Sequence, residues 1–268
     1  MSIEVLLKEF QEVAYNPKKQ LASFKAEGKK VIGVLPYYAP EELVYAAGMV
    51  PMGIWGSNKK TISRAKEYCA TFYCTIAQLA LEMLLDGTMD ELDGLITPTI
   101  CDTLRPMSQN FRVSIGQKIP TIFLAHPQNR FADWGIQFCV DQYNNVKKDL
   151  EKIAGHEITN EAIQNAIKVY NASRAARREF VKLASEHCDV VTPTLRSAVL
   201  KARRLSAFFL TTLPKSWSMP LAWFPWVCGA ATISPSSAPR STVLPSTAPS
   251  LSWLWRCCWT VPWTSWTV

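Results

Sequence analysis

Several familiar patterns are missing from the 268 residues of this chain, and each absence disfavours a class of protein. The eight cysteines include no CxxC pair, which argues against a zinc ribbon. No uninterrupted apolar stretch reaches the roughly 18 residues that a membrane-spanning helix needs, and no basic, apolar export signal follows Met1. We therefore expect a cytoplasmic chain without a membrane partner, whose cysteines serve metal or redox chemistry rather than disulfides.

The net charge of +7 at pH 7 raises the question of a nucleic-acid partner, but the basic residues are poorly placed for one. They alternate with acids, as in residues 147–152. Only residues 174–178 approach a basic cluster, and a solvated helix face is the better interpretation of that segment. We expect no nucleic-acid partner.

The acidic residues stop abruptly, since all 22 precede residue 205. Residues 205–268 contain eight of the ten tryptophans, frequent Ser, Thr and Pro, and no sustained helical or strand period. Three interpretations are open: a linker ending in a hydrophobic anchor, a small module, or translation out of frame. We favour the last, because a shifted frame scrambles patterning and removes acids. The prediction is an α/β domain over 1–204 that ends in long helices, and an aberrant, frameshifted tail over 205–268.

Within residues 1–204, short apolar runs alternate with helical patterns. The runs that predict buried strands lie at residues 31–35, 49–54, 92–98 and 120–125. The predicted helices lie at residues 2–14, 40–47, 72–85, 103–112, 136–153 and from a cap at Thr159 onward. This alternation predicts an α/β fold, a parallel sheet flanked by helices, either flavodoxin-like or Rossmann-like.

Two cysteines occupy positions that parallel-sheet proteins use for function. Cys101 directly follows the predicted strand 92–98, and Cys74 lies in the first turn of the predicted helix 72–85. Ligand sites lie at the carboxyl ends of parallel strands, and a helix N-terminus favours a thiolate or an anionic cluster. Both residues could instead be small buried hydrophobes, and Cys69 is an alternative to Cys74.

The remaining candidates carry weaker signals. Cys139 lies on the apolar stripe of its helix and is expected in the core, whereas Cys188 has no assigned role. His126 follows the strand 120–125 and could face the same sheet edge, although a lone histidine is more often structural. Because an iron–sulfur cluster usually needs three or four protein ligands, Cys74 and Cys101 do not complete one. Either further ligands come from outside residues 1–204, or the site is not a cluster.

Several motifs carry a family resemblance. Residues 38–51 resemble the N-terminal signature of the 2-hydroxyacyl-CoA dehydratase and benzoyl-CoA reductase family. The stretch from Cys74 to residue 105 resembles the part with the family's two N-terminal cluster cysteines, and residues 192–200 also fit its pattern. Family members continue into a second α/β domain with a third cluster cysteine. Here the tail stands in its place, so that this domain is expected to be lost or scrambled.

The resemblance implies a dehydratase subunit that works as a heterodimer with an α subunit. It further implies a [4Fe-4S] cluster with Cys74 and Cys101 as metal ligands, FMN or riboflavin in the complex, and an ATP-dependent iron–sulfur activator protein. The implied acyl-CoA reaction is dehydration of (R)-2-hydroxyglutaryl-CoA to glutaconyl-CoA by a ketyl-radical mechanism, in anaerobic amino-acid (glutamate) fermentation. A benzoyl-CoA-reductase-like subunit and a non-catalytic scaffold subunit are the alternatives.

Overall fold

The computed structural model describes residues 3–35, 38–54, 61–129 and 131–205. The predicted tail, apart from residue 205, therefore lies outside the described residues. In chain order the elements are α1 (Ile3–Tyr15), α2 (Pro17–Ala26), β1 (Val31–Val34), α3 (Glu41–Ala46), β2 (Val50–Gly53), a 3-10 helix (Arg64–Glu67), α4 (Thr75–Leu85), β3 (Gly94–Pro98), α5 (Leu104–Ile115), β4 (Thr121–Leu124), α6 (Asp133–Ala154), α7 (Asn160–Glu186) and α8 (Pro193–Leu205).

The four strands form one parallel sheet in the order β2-β1-β3-β4. The chain first moves from β1 to β2 on one side and then crosses to β3 and β4 on the other. The order thus reverses between β1 and β3, and ligands of doubly wound sheets bind outside the carboxyl ends of the strands at such a switch point. The prediction of a parallel sheet flanked by helices is confirmed, and the strand order is the flavodoxin-like one rather than the Rossmann one.

Two hydrophobic clusters lie on the two faces of the sheet. Helices α2, α4 and α5 cover one face, with Leu81 and Phe111 in its core. Helices α3, α6 and α7 cover the other, with Leu43 and Tyr143 in its core. Strands β1, β2 and β3 are buried at every position, as expected for parallel strands covered on both faces.

The start of α4 differs from the prediction. The helix begins at Thr75, not at Phe72, and Cys74 is its N-cap residue with an extended backbone (φ −62°, ψ 143°). The helix is also not buried on every side, because Ile76 in its first turn is 59% exposed, and Phe72, which precedes the helix, is 84% exposed. The apolar character of this end of α4 therefore belongs to a surface at the edge of the sheet and not to the core.

The long helices are bounded by capping residues that the sequence contains. Thr159 accepts a hydrogen bond at its side-chain oxygen from the Ala162 N–H (3.2 Å), which confirms the predicted cap of α7. Gly155 ends α6 in the left-handed region (φ 86°), where an L side chain would be strained. Helices α1 and α8 contact each other through Ala14 and Ala198. Among the helices of the described ranges, none is long and apolar enough to cross a membrane.

Candidate functional site

Cys74 and Cys101 lie at the same edge of the parallel sheet. Cys101 follows β3, and Cys74 precedes α4, which runs back along the sheet between β2 and β3. Both residues are therefore at the carboxyl ends of the strands. Helices α4 and α5 contact each other on the same face of the sheet, and both begin at this edge. Both thiols are exposed and unpaired.

Each of these cysteines also leads into a helix. The Cys74 carbonyl accepts hydrogen bonds from the N–H groups of Ala77 (3.1 Å) and Gln78 (3.2 Å). The Cys101 carbonyl accepts hydrogen bonds from Leu104 (3.2 Å) and Arg105 (3.4 Å). The N-terminal end of a helix carries a partial positive charge, which favours an anionic group placed there. The two thiols thus lie at two electropositive helix ends on the same edge of the sheet.

Cys69 has a different environment. Its side chain is buried, and its sulfur lies 3.6 Å from the sulfur of Met107 on α5. Burial raises the pKa of the Cys69 thiol, an effect that a hydrogen bond with Asn110 only partly offsets. Because the thiolate is the form that binds metals, Cys69 is less suited to ligation than the exposed Cys74.

The other cysteines separate clearly by burial. Cys139 is fully buried in the cluster beneath α6, which confirms its predicted place in the core, and Cys188 is exposed. No group of three or more His, Cys, Asp or Glu residues within the described parts of the chain is placed to hold a metal ion. Two thiols suit an iron–sulfur cluster in kind, but a cluster needs three or four ligands. Cys228, Cys257 and Cys258 lie outside the described residues.

The loop that carries Cys101 is tied to the neighbouring strand ends. The Thr99 side-chain oxygen accepts a hydrogen bond from the His126 backbone N–H (2.7 Å). The His126 Nε2 lies 3.2 Å from the Tyr38 carbonyl oxygen, and the two rings meet edge to face with centroids 5.8 Å apart. The loops after β1, β3 and β4 therefore meet at the switch point. His126 lies at the sheet edge that its position after the predicted strand indicated.

Tyr38 adopts a left-handed backbone conformation (φ 61°), which no other non-glycine residue of the described ranges shares. Such a conformation is unfavourable for a bulky residue and persists only where surrounding contacts enforce it, often at functional sites. The sequence pattern indicated Tyr38 only as part of a signature and gave Thr99 no role. The available signal was their position, Tyr38 in the segment that follows β1 and Thr99 directly after β3, since both strands end at the switch point.

A buried carboxylate anchors the segment before Cys69 to α4. Glu82 is 4% exposed and accepts hydrogen bonds from the Ser63 N–H (3.1 Å), the Ser63 hydroxyl (2.9 Å) and the Ala65 N–H (2.8 Å). Burial tends to raise the pKa of the Glu82 carboxyl, but these hydrogen bonds outweigh it and hold the pKa below its usual value. Glu82 is thus a structural anion that caps the 3-10 helix.

Apolar side chains flank both cysteines along the chain. Phe72 is 84% exposed, Ile76 is 59% exposed and Ile100 is 36% exposed. Phe72 and Ile76 bracket Cys74, and Ile100 precedes Cys101. Exposed apolar side chains therefore lie next to both cysteines in the chain.

The strand order and the strand ends that meet at the switch point define a flavodoxin-like α/β domain. Residues 36–206 match the family described as 2-hydroxyglutaryl-CoA dehydratase, D-component, and the chain belongs to this family. It is 65% identical, over 202 residues, to the (R)-2-hydroxyglutaryl-CoA dehydratase subunit beta of Acidaminococcus fermentans. That match covers 75% of this chain and 53% of the relative.

Two further relatives are more distant. The chain is 43% identical over 203 residues to the lactoyl-CoA dehydratase subunit beta of Anaerotignum propionicum, covering 75% of this chain and 53% of the relative. It is 32% identical over 158 residues to a benzoyl-CoA reductase subunit of Thauera aromatica, covering 59% and 41%. The resemblance stated from the motifs is therefore confirmed. The chain spans about half the length of the curated relatives that it matches.

Proposed function

We propose that residues 1–204 form the N-terminal domain of the β subunit of an (R)-2-hydroxyacyl-CoA dehydratase, a cytoplasmic lyase that works with an α subunit. The observation that carries this proposal is the 65% identity to a β subunit of that kind over 202 residues. The identity falls to 43% for the lactoyl-CoA relative and to 32% for the reductase relative. This gradient favours (R)-2-hydroxyglutaryl-CoA as the substrate and glutaconyl-CoA and water as the products.

Cys74 and Cys101 are the proposed ligands of a [4Fe-4S] cluster. Their thiols are exposed at the same sheet edge, each before a helix whose positive end favours an anionic group. The buried Cys69 and Cys139 lack this access. When bound, the cluster would supply one-electron chemistry to the complex. The further ligands that it needs come from outside the described residues.

The substrate explains why such a reaction needs one-electron chemistry. The β-hydrogen of a 2-hydroxyacyl thioester is not acidic, so that a general base alone removes it with difficulty. One electron added to the thioester carbonyl gives a ketyl radical anion, which expels the 2-hydroxyl as hydroxide and makes the β-hydrogen acidic. Loss of that proton and return of the electron give the enoyl thioester and water, and no electron is consumed.

In this scheme the described residues contribute apolar surface to the site of reaction. Phe72, Ile76 and Ile100 provide apolar surface that excludes water once it is covered, which strengthens electrostatic interactions inside the site. The proposed complex also includes an ATP-dependent iron–sulfur activator, which delivers the starting electron, and FMN or riboflavin. Its setting is anaerobic fermentation of glutamate.

Metal analysis of cysteine variants tests the ligand assignment. The chain in the reading frame that re-sequencing of the gene establishes, produced together with an α subunit, is assayed for iron and acid-labile sulfide without substitution and as Cys74→Ala and Cys101→Ala. Cys188→Ala is the matched control, because Cys188 is also exposed. We expect iron to fall in the first two variants and to stay at the wild-type level in the control. Unchanged iron in both Cys74→Ala and Cys101→Ala would contradict the assignment.

The two alternatives differ in measurable ways. A reductase of the benzoyl-CoA type keeps electrons in its product, so it consumes reductant in proportion to substrate, whereas a dehydratase needs only catalytic electrons. A scaffold subunit leaves the iron content of the complex independent of Cys74 and Cys101. Consumption of reductant in proportion to substrate would favour the reductase. An iron content that is the same in the wild type and in both cysteine variants would favour the scaffold.

The tail over residues 205–268 is proposed to be a frameshift product. The absence of acidic residues from position 205 onward and the end of the family match at residue 206 support this proposal. Sequencing the gene again across codons 200–215 tests it, because a restored frame is expected to continue with family-like sequence. An unchanged frame, with the tail detected by mass spectrometry of the natural protein, would contradict it.

A further inference from the structure

We propose that Thr99 and His126 are positioning residues that hold the Cys101 loop against the Tyr38 loop at the switch point. This inference rests on the proposed role of Cys101 as a metal ligand. It adds a role for two residues that do not themselves bind the metal. Their effect is to fix where Cys101 stands relative to the neighbouring strand ends.

Thr99 attaches the start of the Cys101 loop to the end of β4 by two contacts. Its backbone N–H donates to the Leu124 carbonyl (3.0 Å), which continues the pairing of β3 with β4. Its side-chain oxygen accepts a hydrogen bond from the N–H of His126 (2.7 Å), which lies two residues beyond the end of β4. Because Thr99 is two residues before Cys101, only a short stretch of backbone separates the anchored point from the thiol.

The backbone between this anchor and the helix is itself tightly turned. The Ile100 N–H lies 3.2 Å from the Pro98 carbonyl, and the Cys101 carbonyl accepts from the first residues of α5. The loop is therefore fixed on both sides of the cysteine, by Thr99 before it and by the start of α5 after it. Loss of the Thr99 side-chain contact would loosen the first of these two supports.

His126 extends the anchor to the loop after β1. Its side-chain Nε2 lies 3.2 Å from the carbonyl oxygen of Tyr38, the residue with the left-handed backbone. Its ring also meets the rings of Tyr38 and Tyr143 edge to face, at centroid distances of 5.8 Å and 6.3 Å. An unfavourable backbone conformation needs such support to persist. Thr99 and His126 thus connect the strained Tyr38 loop with the loop of the proposed ligand.

Cys74 is supported by different contacts, which provides an internal control. The Gln78 side-chain amide donates to the Tyr73 carbonyl (2.6 Å), and this bond closes the turn around Cys74. Loss of the Thr99 side-chain contact should therefore loosen the Cys101 loop, loss of the His126 side-chain contact should loosen the segment around Tyr38, and both should leave the Cys74 turn unchanged. A purely structural role in overall stability would instead affect both segments alike.

Hydrogen–deuterium exchange on the full chain, followed by mass spectrometry, tests the local effect. Thr99→Val removes the side-chain acceptor at nearly constant shape, and Thr99→Ser retains it. We expect the exchange rate in residues 99–105 to rise about two- to tenfold in Thr99→Val, as for the loss of one hydrogen bond. In Thr99→Ser the rate should return to the wild-type value. Exchange in residues 73–78 is expected to stay at the wild-type rate.

A second pair of variants keeps the test decisive if Thr99→Val folds poorly. His126→Phe removes the ring nitrogen, and His126→Gln places an amide near the same position. Both variants keep the backbone N–H that donates to Thr99 and change only the side-chain contact with Tyr38. We therefore expect faster exchange in the peptide that contains Tyr38 for His126→Phe and recovery for His126→Gln. Unchanged exchange in residues 99–105 for Thr99→Val and around Tyr38 for His126→Phe, or equal increases in residues 73–78, would overturn the positioning role.

The spectrum of the iron-loaded complex separates this inference from the proposed function. If the wild type binds iron and sulfide, we expect the electron paramagnetic resonance signal of the reduced complex to change in Thr99→Val and to recover in Thr99→Ser. An identical signal in all three proteins would overturn the positioning role alone. A wild type whose iron is independent of Cys101 would overturn the ligand assignment, and with it the basis of this inference.

Discussion

Glu42 on α3 forms an ion pair with Arg174 on α7, although the Glu42 side chain is only 2% exposed. Arg174 is 24% exposed and also lies over the ring of Tyr170, 5.8 Å from its centroid. The pair joins a short helix near the switch point to the longest helix of the described residues. It also corrects the interpretation of residues 174–178 as a wholly solvated face, because Arg174 points toward a buried acid.

Removing either partner of this pair should lower the free energy of unfolding, but by different amounts for the two residues. Arg174→Met leaves the Glu42 carboxylate buried and uncompensated, and we expect it to lower the free energy of unfolding by about 3 kcal/mol. Glu42→Gln leaves a partly exposed guanidinium that water can reach, so that its cost should be smaller, about 1 kcal/mol. Urea unfolding measures both. Arg178→Met, at an exposed position on the same helix, is the control and should cost little.

The hydrogen-bonded carboxylate of Glu82 should make stability depend on acidity. Its pKa lies below the usual 4.5 in the folded chain, so the unfolded chain binds the proton more readily. The stabilisation is therefore present above the unfolded pKa and is lost as the pH falls through the folded pKa. We expect Glu82→Gln to weaken the loss of stability below about pH 4.5, measured by urea unfolding at several pH values.

The same substitution should destabilise the chain near neutral pH, because the Ser63 and Ala65 donors lose a charged acceptor. Hydrogen bonds to charged groups contribute about 1.5 to 3 kcal/mol each, and the retained amide oxygen offsets part of that loss. Glu91→Gln, at an exposed position, is the control. If the free energy of unfolding falls as steeply at low pH in Glu82→Gln as in the wild type, the role assigned to this carboxylate is contradicted.

Gly33 on β1 is a position where packing leaves little room for a side chain. A Cβ there would lie 2.8 Å from the terminal Cδ1 atoms of both Ile54 and Leu92. We expect Gly33→Ala to cost about 1 to 3 kcal/mol, since these methyl groups must move in a filled core. Ile54→Val removes one of the two clashing atoms. The double variant should therefore cost less than the sum of the single variants in urea unfolding, and strict additivity would contradict the clash.

The strands were predictable because short-range signals define them. The apolar run at 31–35 became β1 (Val31–Val34), since charged residues precede it and Pro36 follows it. The alternation of strands and helices predicted that the strands run parallel, but it left the strand order open. For these strands, the local composition predicts the buried environment that the structure shows.

The edge of the sheet was less predictable, for physical reasons. Phe72 and Ile76 are apolar and were therefore expected in a buried helix. The structure instead places them beside Cys74 at the edge of the sheet, where both are exposed. The Thr99–His126 contact joins residues 27 positions apart, and the Tyr38 backbone is unfavourable by itself. Such features depend on how the strand ends meet, which a local pattern does not encode. The location of Cys74 and Cys101 at the sheet edge was predictable because their positions relative to the predicted elements were informative, and their role as ligands stays a prediction.

The last prediction concerns which thiols a bound metal shields. In the metal-free chain we expect iodoacetamide to label the exposed Cys74, Cys101 and Cys188 quickly. The buried Cys69 and Cys139 should react about a hundredfold more slowly, because labelling them needs an opening that costs about 3 kcal/mol. Burial also raises the pKa of Cys69, which further lowers its thiolate fraction. Mass spectrometry of the labelled peptides measures each rate.

Loading with iron and sulfide then distinguishes ligation from burial. Ligation should protect Cys74 and Cys101 while Cys188 keeps its rate, because all three are exposed in the metal-free chain but only the first two precede α4 and α5. A chain that merely becomes more compact would protect Cys188 as well. Labelling of Cys74 and Cys101 at the metal-free rate in an iron-loaded complex would show that the two thiols do not hold the metal, whatever their position at the sheet edge.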